Sequence, residues 1–187
     1  NRLSIVIGDV SGKGLESAVQ TGQAQSMIRA LALANSDPVS VIHSLNSALC
    51  AFLGGDSFVT LFYGILDSNT GNLTYINAGH EQPLIIVPDK APIILGTTGP
   101  VLGAFEEAKH VVSNIKMEKG STILCYTDGV TDIVMNGEWF GYDGLIKLVS
   151  SRNWEHPPEL VQLISSIICD DKTAQTRDDQ LLVAVML

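Results

Sequence analysis

The chain opens on an apolar run, Leu3-Ser4-Ile5-Val6-Ile7, short and β-branched enough to read as a strand. Leu15, Ala18, Val19, Gly22, Met27, Ala30, Leu31 and Ala34 then recur at intervals of three and four, the period of a helix that buries one face. Asp37-Pro38 starts a second helix. Asp37 is placed to cap it, Pro38 suits its first turn, Val41, Ile42, Leu45, Leu49 and Phe52 form its stripe, and Gly54-Gly55 end it. Beyond this point the period changes. Phe58 to Leu66, Leu73 to Ala78, Leu84 to Val87 and Ile93 to Leu95 are short β-rich runs, which predicts a meander. Turn residues such as Ser68-Asn69-Thr70-Gly71-Asn72 and Pro88-Asp89 punctuate it. Strands are expected at His110 to Ile115 and Thr122 to Tyr126. Leu145, Leu148 and Val149 mark a third helix, and Leu160, Leu163, Ile164, Ile167 and Ile168, opened by Pro157-Pro158, a fourth. Leu181 to Leu187 close the chain as a strand. Strands in runs and helices in pairs imply antiparallel sheet covered by helices, an α+β layered sandwich, rather than a βαβ alternation.

Composition narrows this further. The 187 residues carry 45% hydrophobic and 17% charged side chains, enough apolar material for one buried core, and no repeat or linker-like tract divides them. One domain over residues 1–187 is the expectation. A net charge of −9 with no basic run disfavours nucleic acid or an anionic membrane as partner. No apolar stretch reaches the roughly 18 residues that span a bilayer, and no signal peptide is recognisable. Cys50, Cys125 and Cys169 are odd in number, far apart and set in apolar surroundings, which reads as reduced core thiols in a cytoplasmic protein and not as a zinc site. The chain starts at Asn1 and enters a strand at once, so it is expected to be a piece of a longer protein.

Candidate chemistry lies in three acidic strings, each at the end of an apolar run: Gly8-Asp9-Val10, Thr127-Asp128-Gly129 and Arg177-Asp178-Asp179. Taken singly, an Asp before Gly also marks a turn. Taken together, carboxylates at converging strand tips repel one another by several kcal/mol unless a divalent cation neutralises them. Hard oxygen donors of this kind suit magnesium or manganese.

Read with their neighbours, Gly8-Asp9-Val10-Ser11-Gly12-Lys13-Gly14, Asn77-Ala78-Gly79-His80, Tyr126-Thr127-Asp128-Gly129-Val130-Thr131-Asp132 and Arg177-Asp178-Asp179 resemble the SpoIIE-type branch of the bacterial metal-dependent PPM serine/threonine phosphatases. Asp67 to Tyr75 is similar to that family's hairpin before Asn-Ala-Gly-His, and Gly137-Glu138-Trp139-Phe140-Gly141 to the segment after its Thr-Asp-Gly. The resemblance implies a four-layer αββα sandwich of two antiparallel sheets flanked by helix pairs, with two Mn²⁺ or Mg²⁺ ions where strand ends meet. It implies that Asp9 bridges the ions, that the Val10 carbonyl ligates one, and that Asp128 and Asp178 complete the acidic shell. Asp179 then stands as an outer or alternative ligand. Paired cations of this kind lower the pKa of a shared water and hold the phosphoryl oxygens for in-line attack. The implied substrate is a phosphoserine or phosphothreonine on a regulatory protein such as an anti-sigma-factor antagonist, and the implied controller is an upstream sensor or receiver domain. Family domains also carry a Gly-Gly-Asp-like segment before the first strand seen here, so the N-terminal strands are expected to be missing. Self-association as a homodimer is left open.

Blander readings compete at several positions. Gly8 to Gly14 fails as a P-loop because three residues, not four, separate Gly8 from Gly12-Lys13, yet Gly12, Lys13 and the helix start remain candidates to touch a substrate phosphate. His80 reads first as a turn residue fixing backbone geometry, and His43, His110 and His156 as surface or satisfied histidines. Asp132 and Glu138 are left as loop carboxylates. The rival readings of the whole chain are a catalytically inactive phosphatase-like interaction module and a hydrolase for small phosphoesters.

Overall fold

The computed structural model of the protein describes residues 1–53, 57–135, 137–154, 156–170, 175–176 and 179–187. The chain is α+β and groups into two compact units, Asn1–His80 with Gly96–Lys116, and Glu81–Leu95 with Met117–Leu187.

The first unit holds strands β1 (Arg2–Val10), β2 (Val59–Asp67) and β3 (Asn72–Ala78), and helices α1 (Leu15–Ala34) and α2 (Pro38–Phe52). With β6 (Ser113–Lys116) its strands form an antiparallel sheet in the order β1-β2-β3-β6. Local chemistry explains the boundaries. The Asp37 carboxylate accepts the Ser40 amide at 2.9 Å, capping α2 with Pro38 in its first turn. Between β2 and β3 the Asp67 side chain accepts the amides of Asn69 and Thr70 at 3.0 and 3.1 Å, the Asx pattern expected of that turn. Val41, Ile42, Leu45 and Leu49 of α2 pack on Leu61, Tyr63 and Ile76 as expected, whereas Phe52 is exposed. The sequence stripe for α1 needs correction. Its buried face is Gln20, Ala24 and Ile28, with Met27 and Leu31 half-buried, while Leu15 and Val19 are 82% and 51% exposed. Ala and Gly occur on every side of this helix, so spacing alone selects no single face.

The second unit holds β4 (Leu84–Ile86), β5 (Ile93–Ile94), β7 (Thr122–Tyr126) and β11 (Leu182–Met186) in an antiparallel sheet ordered β11-β7-β4-β5. A small ribbon adds β8 (Ile133–Met135), β9 (Glu138–Trp139) and β10 (Gln175–Thr176), in the order β10-β8-β9. Every residue of β7 is buried, as its unbroken apolar run predicts for a central strand. Helices α3 (Gly141–Val149) and α4 (Pro157–Asp170) place Leu145, Val149, Leu160 and Ile164 against Leu84, Leu124 and Tyr126. The expected single meander is corrected here: β2 and β3 belong to one sheet and β4 and β5 to another, and the chain passes between them through Gly79, whose φ of 67° favours glycine. The strand expected from His110 begins only at Ser113; His110 is instead buried and its Nε2 donates to the Pro100 carbonyl at 2.8 Å. No helix of the described residues is long and apolar enough to cross a membrane.

Candidate functional site

Asp9 stands next to last in β1, directly opposite Thr60 of β2. Its side chain is exposed and its Oδ1 accepts the Val10 amide at 2.9 Å, while Val10 itself is buried. Just beyond, Ser11 closes the strand pair. Its amide donates to the Phe58 carbonyl at 2.9 Å and its hydroxyl accepts the Phe58 amide at 2.8 Å. The exposed loop that follows turns at Gly12 and Gly14, with φ of 105° and 91°, and delivers α1 with no side-chain cap at Gly14. First-turn amides of α1 therefore open beside Gly12 and Lys13, where the helix dipole favours an anion.

In the second unit, Asp128 leaves the end of β7 and opens a single 3₁₀ turn, Asp128–Val130. Its carbonyl accepts the amides of Thr131 and Asp132 at 2.8 and 2.6 Å, a tight coil that draws Asp132 back beside it. Half-buried Glu81 lies in the same field. Burial first, and then the charges of Asp128 and Asp132, hold its carboxyl above the usual carboxylate range. The Tyr126 phenol is likewise raised, by burial and then by Glu81, and its hydroxyl donates to the Gln82 carbonyl at 3.0 Å. Asp132, which the sequence reading set aside, thus belongs to this acidic group. Sequence offers one signal for Glu81, a carboxylate directly after the Asn-Ala-Gly-His turn.

Thr127 joins this group to the C-terminal acidic string. Its hydroxyl donates to the Asp179 carbonyl and accepts the Leu181 amide, both at 3.0 Å, and its amide donates to the Leu181 carbonyl at 3.1 Å. Residues 52 apart in sequence are tied in this way, which sets the Asp179 backbone beside the end of β7. Asp178 lies outside the described residues. Cys125 in β7 is a core thiol, pushed up to about 12 by burial, and so inert as a ligand at neutral pH.

All the candidate donors are carboxylate or carbonyl oxygens, a set that fits a hard divalent cation. Burial is the larger cause of the raised Glu81 carboxyl, and the charges of Asp128 and Asp132 the lesser. Among the described residues no three His, Cys, Asp or Glu side chains gather into a ready-made metal cage.

The family model described as Stage II sporulation protein E (SpoIIE) matches residues 1–187. Among curated relatives, Protein IcfG of Synechocystis is 29% identical over 98% of this chain and 33% of its own length. Phosphoserine phosphatase RsbU of Bacillus subtilis is 26% identical over 98% of this chain and 55% of its own. The chain therefore spans between about a third and about half of these relatives. Two solved structures share the fold. The PP2C phosphatase domain of SpoIIE from Bacillus subtilis superposes with a TM-score of 0.82 at 17% identity, covering all of this chain and 55% of that one. The catalytic domain of the serine/threonine phosphatase PstP, solved with two manganese ions, gives 0.66 at 12% identity over 97% of this chain and 85% of that one.

Proposed function

Because the chain belongs to the Stage II sporulation protein E (SpoIIE) family, we propose that residues 1–187 act as a metal-dependent phosphatase domain that hydrolyses phosphoserine or phosphothreonine on a regulatory protein. The observation that carries this reading is the match of that family over the whole chain, with Asp9 next to last in β1 and Asp128 just past the end of β7. The phosphatase names of the relatives support the same chemistry. An anti-sigma-factor antagonist of the partner-switching kind is the substrate class proposed, in the cytoplasm and under an attached sensor or receiver domain. The greater length of the relatives supports such an attachment.

Asp9, the Val10 carbonyl, Asp128 and Asp178 are the proposed holders of Mn²⁺ or Mg²⁺, two ions being expected. When bound, the ions supply an activated water and a clamp on the phosphoryl oxygens. The chain's own residues do the rest. The α1 amides with Gly12 and Lys13 receive a substrate phosphate, since fixed dipoles and a cation favour its charge. The hydrogen bond from the Val10 amide restricts how the Asp9 carboxylate turns, so its oxygens are oriented before any ion arrives. The Asp128 coil and the Thr127 tie fix backbone, the first at Asp128 and the second at Asp179.

The test is hydrolysis of a phosphoprotein with added Mn²⁺ by Asp9→Asn and Asp128→Asn variants whose circular dichroism matches the parent. Both are expected to lose turnover, and undiminished turnover in either overturns its assignment. A parent chain that binds one Mn²⁺ or none in calorimetry and turns over nothing would instead be an interaction module.

A further inference from the structure

Asp9 is carried by a strand with one ladder partner among the described residues, since β1 stands at the end of the order β1-β2-β3-β6. Within the sheet the neighbour of Asp9 lies on β2. In an antiparallel ladder, residues directly opposite project to the same face with Cβ atoms about 4.5–5.5 Å apart, and the residue opposite Asp9 is Thr60. The Thr60 hydroxyl faces two groups. It reaches the Asp9 carbonyl at 3.4 Å, and it shares a hydrogen bond of 2.9 Å with Nδ1 of His80. A hydroxyl that donates to the Asp9 carbonyl takes its second bond from an Nδ1–H donor, which selects that tautomer of the ring.

His80 is in turn firmly placed. It is buried, its amide donates to Asn77 Oδ1 at 2.9 Å, and the left-handed turn at Gly79 aims it back at β2. Asn77 is fastened as well, its amide donating to Thr98 Oγ1 at 2.9 Å and its carbonyl accepting the Thr98 amide at 2.8 Å. The strands also meet closely here, for a Cβ on Gly8 would lie 2.6 Å from the Thr60 carbonyl oxygen. The strand contact and the Thr60 hydroxyl act on the same short stretch of β1, and the imidazole acts on the hydroxyl.

We propose that Thr60 and His80 are positioning residues for the Asp9 carboxylate: His80 locks the Thr60 rotamer, and the locked side chain fixes the backbone and the neighbouring surface from which Asp9 meets a divalent cation. The inference rests on the proposed role of Asp9 as a metal ligand. A pure folding role for the pair predicts a change in stability alone. A positioning role predicts weaker metal binding by a chain that is still folded, in the range of about 10- to 100-fold seen when partners of metal ligands are removed.

The experiment is Mn²⁺ titration calorimetry on the full chain, with urea unfolding run in parallel, for Asp9→Asn, Thr60→Val, Thr60→Ser and His80→Asn. Thr60→Val keeps the shape and loses the hydroxyl, so it is expected to weaken Mn²⁺ binding by about 10-fold or more. Thr60→Ser keeps the hydroxyl, and His80→Asn keeps a polar group near the place of Nδ1, so both are expected to retain most of the affinity. If Asp9→Asn abolishes binding while Thr60→Val binds as the parent does, the positioning role is overturned and the ligand role of Asp9 stands. If Asp9→Asn binds Mn²⁺ as the parent does, the ligand role itself fails. If Thr60→Ser is as weak as Thr60→Val, the hydroxyl is not the cause and the inference is again overturned.

Discussion

Replacing Thr127 by valine removes one hydroxyl and keeps the side-chain shape, which isolates the tie between the end of β7 and the C-terminal acidic string. Two hydrogen bonds are lost, from the hydroxyl to the Asp179 carbonyl and from the Leu181 amide to the hydroxyl. Neutral bonds of this kind contribute about 0.5–1.5 kcal/mol each, so the pair is worth about 1–3 kcal/mol. Thr127 is only 8% exposed, yet Leu181 is 48% exposed, so water replaces part of the loss on the Leu181 side. The lower part of the range, about 1–2 kcal/mol, follows. With 1.4 kcal/mol equal to tenfold, loosening transmitted to the proposed metal site weakens Mn²⁺ binding by roughly 5- to 30-fold. Titration calorimetry reads this directly, with Thr127→Ser as the control that restores both bonds. Parent-like Mn²⁺ affinity in the valine variant would refute the reasoning that this backbone tie supports the proposed metal site.

Two further outcomes test the packing and the electrostatics. Asn46 is fully buried in α2, donating from Nδ2 to the Phe105 carbonyl at 2.9 Å and accepting the Gly103 amide on Oδ1 at 2.9 Å. Asn46→Ala leaves both without their side-chain partner, so urea unfolding is expected to show a loss of about 2–5 kcal/mol, and a loss below about 1 kcal/mol contradicts the accounting. Glu81 is easier to protonate in the folded chain than its ordinary 4.5, so the folded state binds more protons than the unfolded one from there up to the raised value. Stability of the metal-free chain is therefore expected to fall as pH rises through that window, measured in a chelating buffer, and Glu81→Gln to flatten the fall. A parent and variant with parallel pH profiles would show that burial and the charges of Asp128 and Asp132 do not raise the Glu81 carboxyl.

What the amino-acid order determined by itself is whatever closes over a few residues. The Asp37 cap, the Pro38 helix start and the Asp67 turn each depend on partners at most three positions away, and each stands where the sequence puts it. The unbroken apolar run of β7 is legible for a related reason, since a strand buried on both faces needs no polar alternation. Motif order also pointed to the family, because Asp9 and Asp128 keep their local settings at strand ends in any fold that preserves those strings.

Tertiary structure alone decided the rest. Helix α1 has apolar and small residues all round, so the choice of Gln20, Ala24 and Ile28 as its inner face came from what α2 and β2 offered it. The meander divided between two sheets because strand partners are selected by long-range pairing, and a short apolar run carries no mark of which sheet will accept it. Glu81 acquired its raised carboxyl, and Thr127 its hold on Asp179, only when chain segments about fifty residues apart came together. Electric fields and hydrogen bonds depend on distance in space. For these residues, nothing in their spacing along the chain encoded that distance.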